Sequence, residues 1–410
     1  MNVVFMTYFE YPGENACANR LNKLARSLIA AKHVVRIVSV SYQETSSHIL
    51  CGHDVDGVEF IKICNRHRSW DFSRCFMLVN DACSLYRSLV AINSKDRVDL
   101  VLGYGEQSIR YFFVRRFCTG KNLPFIADLT EWLPFDFRRF LSVQYLDHLF
   151  FRVGVLSRIT GAVGISSYLF EQCKKRNVPA IIVPSLCAEG TNSANSSAKR
   201  LGFAIGYIGQ LFHRDDPIPM LEAVEGCLRK WPELKFHIIG KIHHRVSMPE
   251  AVNKLAIMES EQVVVTGFVP REEYENLLDT MDIFILLRTR GVLSEASFPT
   301  RLPEILSKGK PVIISDVGDV SRYLTHNKDA YIVPSGNHSD SIAEGICRLR
   351  CDDGLYGSIA NGALAAASKK FYYMNYCQLL HRFIVGLHRV KNEEKNASIR
   401  NTTGSKTFCA

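Results

Sequence analysis

The chain has 410 residues, 47% hydrophobic and 22% charged with aromatic side chains throughout, which excludes a disordered polymer and is long enough for two domains. The net charge of +9 favours anionic partners, but the basic residues are dispersed and no helix-turn-helix, zinc-finger or RNP-like pattern occurs, which argues against nucleic acid. Thirteen scattered cysteines without a CxxC pair read as reduced cytoplasmic thiols, and His243-His244 lacks partners at ligand spacing, so neither a disulfide framework nor a metal is expected.

Met1 to Thr7 has no basic n-region and too short an apolar run for a signal peptide, and no stretch of about eighteen apolar residues follows. A cytoplasmic protein is expected, at most lying against the inner face of a membrane. Val3 to Met6 is a strand, Tyr11 to Asn15 a turn, and Ala18, Leu21, Leu24, Ala25, Leu28 and Ile29 share one helical face before the strand Val34 to Val38. Such a βαβ unit places ligands at the strand's carboxyl end. There Gly13 either lets backbone approach a phosphate or sugar, or serves only the turn.

Cys51 to Trp70 is polar and irregular, a hairpin or an excursion. Phe76 to Ile92 is helical, Val98 to Leu102 a strand, Gln107 to Phe117 a helix, and Pro124 to Ala127 a strand that delivers Asp128 and Glu131 into a loop beside Trp132. Two carboxylates at a strand's carboxyl end stand where α/β proteins place chemistry, and both are candidate catalytic residues; the plain alternative is a turn cap and a solvated acid. Phe135 to Ser157, rich in Phe, Leu and Arg, suits either an anionic bilayer or a buried helix with snorkelling Arg ends. Ile159 to Ile165 is a strand, Ser166 caps a helix, and Ile181 to Pro184 closes a first domain spanning 1–185.

Residues 186–200, rich in Ser, Asn and Ala, are a linker. The second domain, 201–370, repeats the alternation: strand Ala204 to Gly209, a loop to Asp216, a helix from Pro217, strands at Phe236 to Gly240 and Val263 to Pro270, a helix from Glu272 to Asp279, and strand Ile283 to Leu287. Then comes LSEASFPTRLPEILSKGKPVIISDVGD, Leu293 to Asp319. Pro303 must lie in the first turn of its helix, which places the start near Thr300 and leaves the amides of Thr300, Arg301 and Leu302 unpaired beside a cation. That arrangement is an anion seat, and Glu304 in the same turn can accept two ribose hydroxyls. A helix over 371–391 and a frayed tail over 392–410 end the chain.

Alternation in two blocks predicts an α/β protein of two doubly wound Rossmann-like domains facing a cleft. Phe298-Pro299-Thr300-Arg301-Leu302-Pro303-Glu304 followed by Gly309-Lys310-Pro311-Val312-Ile313 resembles the donor-binding segment of retaining glycosyltransferase family 4, in its FPxK-type subgroup. The resemblance implies the GT-B fold, with the last helix crossing back to the first domain. It implies that Glu304 holds the ribose of a nucleotide sugar, that the turn with Thr300, Arg301 and Leu302 cradles its diphosphate, that Gly209 lines the loop below, that Val269 and Pro270 flank the base, and that Glu131 or Asp128 faces the acceptor. The sequence departs from the family where an Arg and a Lys normally clamp the diphosphate: Gln210 and Asp215 stand there, leaving Arg214 and Arg301 as replacement cations. Ala296 also replaces an earlier Glu. The activity implied is metal-independent transfer of a sugar from a nucleoside diphosphate donor, itself a substrate and not a cofactor, to a glycan or lipid-linked glycan acceptor, with an anionic membrane surface as a further partner. A nucleotide-sugar epimerase of the same fold and a catalytically silent relative are the alternatives.

Overall fold

The structure is a computed structural model describing residues 1–43, 48–66, 73–137, 142–189, 202–209, 217–240, 261–336 and 338–404. The first unit contains β1 (Asn2–Thr7), α1 (Ala16–Ala30), β2 (Val34–Gln43), β3 (His48–His53), β4 (Glu59–Arg66), α2 (Ser73–Lys95), β5 (Leu100–Tyr104), α3 (Phe112–Lys121), β6 (Phe125–Leu129), α4 (Val143–Phe150), β7 (Gly161–Gly164), α5 (Ser167–Lys174) and β8 (Ala180–Ile182). Its sheet runs β3-β4-β2-β1-β5-β6-β7-β8 and is parallel except for β3, which forms an antiparallel hairpin with β4 over residues 48–66. β1 is buried from Val3 to Thr7 because helices cover both faces of a parallel sheet, which is why it reads as an unbroken apolar run. Asn15 caps α1 by accepting the Ala18 amide at 2.8 Å, and Ala18, Leu21, Leu24, Ala25 and Leu28 form the stripe that α1 lays on the sheet.

The second unit contains β9 (Phe203–Ile208), α6 (Pro217–Lys230), β10 (Leu234–Ile239), β11 (Val263–Gly267), α7 (Arg271–Thr280), β12 (Ile283–Leu286), α8 (Val292–Ala296), α9 (Leu302–Ser307), β13 (Val312–Ser315), α10 (Val320–Tyr323), β14 (Tyr331–Val333), α11 (Ser339–Cys351) and α12 (Asp353–Ala366). Its sheet is wholly parallel in the order β11-β10-β9-β12-β13-β14, the doubly wound arrangement with a switch point between β9 and β12. Both units are therefore Rossmann-like, as the alternation predicts.

The chain divides between Pro184 and Ser185, and from Tyr373 onward it belongs to the first unit again. Most of the expected linker lies outside the described residues. The returning helix α13 (Cys377–Gly404) packs where β7 has no side chain: a Cβ on Gly161 would sit 2.6 Å from Leu387 Cδ1. His381 of α13 also bonds His33 at 2.9 Å. The frayed tail expected from 392 is corrected by this helix, which runs on to Gly404. Once the packed turns are formed each added residue extends an existing helix, and Arg389 with Glu393 (2.9 Å) and Lys391 with Glu394 (2.8 Å) support the exposed turns.

Two other boundaries move for a local reason. The helix expected from Gln107 begins at Phe112, because Asp147 takes the amides of Ser108 (3.1 Å) and Ile109 (2.7 Å) and holds them in a turn. The helix expected near Thr300 begins at Leu302, with Arg301 in the capping position.

Candidate active site

In the second unit, β9, β10 and β11 end in Gly209, Gly240 and Gly267, all at positive φ. A Cβ on Gly240 would lie 2.1 Å from the Gly209 carbonyl oxygen, so the two loops cross as bare backbone at the strands' carboxyl ends. Gln210 and Arg214 lie outside the described residues. Half-buried Val269 and exposed Pro270 lead into α7, which sets Arg271 and Tyr274 one turn apart on the side facing α9.

Glu304 is the centre of this group. It is buried, its Oε2 accepts from the Tyr274 hydroxyl at 2.9 Å and Arg301 Nη1 at 3.1 Å, and its Oε1 accepts from Arg271 Nη1 at 3.4 Å. Burial alone would raise this carboxyl; Arg301, then Arg271 and the tyrosine hydroxyl, outweigh it and hold Glu304 below its ordinary value. It is a fixed carboxylate, held by three donors.

The anion seat is narrower than expected. The Leu302 amide is tied to the Pro299 carbonyl at 3.2 Å, while those of Thr300 and Arg301 have no partner among the described residues. Arg301, expected to meet phosphate, rests on Glu304 and over the Tyr274 ring at 5.0 Å; a guanidinium has five N–H donors, so this pairing leaves capacity for a second anion. Arg271 and Tyr274 escaped notice in the sequence, although their spacing just after Pro270 was the available signal.

In the first unit, the carboxyl ends of β1, β5 and β6 gather acids. Asp128, a candidate catalytic residue, is fully buried and paired with Arg20 of α1, which reaches it through Nη2 at 2.6 Å and Nε at 2.9 Å. The same guanidinium donates to the Val183 and Pro184 carbonyls at 3.0 and 2.9 Å. Asp128 thus ties α1, β6 and the end of the sheet together, and both its oxygens are spoken for, which corrects its assignment as an open acid.

Glu106 was not anticipated. It follows β5 through Gly105 and is buried, and its Oε1 accepts the amides of Thr130 (2.7 Å) and Glu131 (3.0 Å). Burial first, with the Glu131 charge adding to it and the amides opposing, pushes its carboxyl up to about 8. It therefore keeps its proton at neutral pH and holds the loop carrying half-buried Glu131. Trp132 anchors that loop inside the unit, with Arg152 over its ring at 4.1 Å. His148 accepts the Leu133 amide at 3.2 Å and is neutral, since burial and then Arg152 lower it to about 4. Exposed Gly13 serves its own turn: a Cβ there would lie 2.7 Å from the Glu10 carbonyl oxygen.

The stretch considered for a bilayer, 135–157, keeps Phe135, Phe137, Phe150 and Val153 exposed, but Arg152 turns inward and Arg138 to Phe140 lie outside the described residues. Among the described residues no group of three His, Cys, Asp or Glu is placed to hold a metal, and His243-His244 falls outside them.

The span from β9 to α11, with the Glu304 cluster inside it, is covered by a family model. Residues 202–352 match the family described as Glycosyl transferases group 1. A further match, 30% identical over 104 residues, is to the amylovoran biosynthesis glycosyltransferase AmsK of Erwinia amylovora; it covers 24% of this chain and a quarter of that relative's length. Solved structures extend the likeness to both units. Sucrose-phosphate synthase from Thermosynechococcus elongatus superposes with a TM-score of 0.70 at 13% identity, over 95% of this chain and 99% of its own. HepE from Anabaena, solved in complex with UDP, gives 0.64 at 15% identity, over 94% of this chain and all of its own. At such identities the likeness concerns the fold, and the fold is GT-B.

Proposed function

We propose that this protein is a retaining glycosyltransferase that moves a sugar from a nucleoside diphosphate to a hydroxyl of a glycan or lipid-linked glycan, in the assembly of a surface polysaccharide. The observation that carries the proposal is that the group 1 match, residues 202–352, contains both the Glu304 cluster and the crossing of Gly209 and Gly240. The names of AmsK, for amylovoran biosynthesis, and HepE, solved with UDP and with UDP-glucose, support the polysaccharide setting and the donor class in this reading.

In this reading Glu304 accepts the ribose hydroxyls, and Val269 and Pro270 flank the base. The amides of Thr300 and Arg301, together with the Arg301 guanidinium, stabilise the diphosphate as it departs, which is electrostatic stabilisation by groups already in place and needs neither metal nor cofactor. Arg214 adds a second cation. Glu131 takes the proton of the acceptor hydroxyl or steadies charge at the anomeric carbon. Asp128 positions the strand end with Arg20 and does not touch the acceptor.

The test is calorimetric titration of UDP-glucose and a panel of other nucleotide sugars into the wild type, Glu304→Gln and Glu304→Ala. Loss of charge-assisted bonds to the ribose, at about 1.5–3 kcal/mol, corresponds to roughly tenfold to hundredfold weaker binding. Undiminished affinity in folded variants removes the ribose role.

A further inference from the structure

α2 shows apolar side chains to solvent at Phe76 (60% exposed), Val79 (50%), Tyr86 (38%) and Val90 (38%), with half-buried Cys83 completing a single outward stripe at alternating spacings of three and four. α3 broadens it. The Phe113 and Phe117 rings stand 6.1 and 6.2 Å from that of Tyr86, and Phe112, half exposed, packs on Phe113 at 5.3 Å. A contiguous apolar face of this kind, on the outside of a unit whose core is already filled, marks an interaction surface.

Charge identifies the partner. α2 and α3 together carry one acid, Asp81, and it is buried in an ion pair with Arg110 at 2.8 Å. Arg87 lies beside Tyr86 on the stripe and Arg116 one turn from Phe112, both exposed, with Lys95 and Lys121 exposed at the helix ends. A second copy of the chain would bring these cations towards their own counterparts across a twofold axis, whereas an anionic lipid surface offers each of them a phosphate. Attachment to a bilayer surface draws on buried apolar area and on attraction to anionic lipids, and this face offers inserted apolar groups and a basic rim. Among the described residues no helix is long and apolar enough to cross a membrane.

We propose that the outer face of α2 and α3 docks on an anionic bilayer, with Phe76, Val79, Phe112 and Phe113 entering the headgroup boundary and Arg87 and Arg116 on lipid phosphates. The surface would bring the first unit to a lipid-linked acceptor, but its existence does not depend on the sugar chemistry.

The experiment is co-sedimentation of the full chain, without donor, on vesicles of phosphatidylcholine alone or with one third phosphatidylglycerol. Wild type pellets with the anionic vesicles and releases as salt rises. At about one kcal/mol per basic residue, Arg87→Ala with Arg116→Ala weakens binding about 30-fold, and Phe112→Ser with Phe113→Ser weakens it at every salt concentration. These side chains are exposed, and circular dichroism checks that each variant remains folded. The proposal is overturned if wild type fails to pellet, pellets equally on neutral vesicles, or forms a dimer in light scattering that Phe76→Ser with Tyr86→Ser dissociates. Free inorganic phosphate competing as well as vesicles do would likewise overturn it, reducing the face to a simple anion site.

Discussion

Replacing Glu106 by Gln should make the protein more stable at neutral pH, an unusual expectation for a residue at the heart of a candidate site. The folded carboxyl holds its proton up to about pH 8, whereas the unfolded one gives it up near its ordinary 4.5. Between those values the folded state binds the extra proton, so the contribution of Glu106 is fully present below pH 4.5 and is lost as pH rises through the window to 8. At about 1.36 kcal/mol per pH unit, the whole window amounts to about 5 kcal/mol and the part lost by pH 7 to about 3 kcal/mol. Gln presents the same carbonyl oxygen to the amides of Thr130 and Glu131 and cannot ionise, so it escapes this loss. Denaturant midpoints for both proteins at pH 5, 6, 7 and 8 give the comparison, since other titrating groups cancel in the difference. The variant should gain on the wild type steadily with pH; parallel profiles would refute the assignment of a buried, protonated Glu106. Glu106→Ala is the contrasting case, because it leaves two amides without their acceptor at about 1–3 kcal/mol each and loosens the loop that carries Glu131.

Asp128→Ala strands the Arg20 guanidinium among two carbonyls and should cost about 3–5 kcal/mol in equilibrium unfolding; a variant as stable as wild type but without transferase activity would return Asp128 to the chemistry. Gly240→Ala forces a methyl to within 2.1 Å of the Gly209 carbonyl oxygen, so a strain of about 1–3 kcal/mol and a loss of nucleotide binding are expected, and a titration matching wild type would show that the two loops do not cross as described.

The architecture was readable because parallel strands covered on both faces must be apolar throughout, and helices between them must show a single stripe. Runs such as Val3 to Met6 and Pro311 to Ile314 satisfy the first condition, and Ala18 to Leu28 the second. Element ends were less legible. α3 starts late because of Asp147, almost forty residues away, and α13 continues past 392 through charge pairs on its own surface. The site was readable in part for a similar reason. Glu131 stands just past a strand and Glu304 in the first turn of a helix, places that the order of elements alone marks, and Glu106, after β5, meets the same criterion.

Taken by itself, the order of residues determined that two parallel α/β blocks would form and that acids and glycines would collect where their strands end. Backbone hydrogen bonding and apolar period, both local properties, are sufficient for that. Only the tertiary structure decided what each acid does: Asp128 is sealed by Arg20, 108 positions earlier; Glu304 is charged between Arg301, Arg271 and Tyr274; and Glu106 is neutral beneath the amides of Thr130 and Glu131. A carboxyl's ionisation depends on the water it loses and the charges packed against it, and apart from Arg301 those neighbours come from segments that sequence spacing keeps apart.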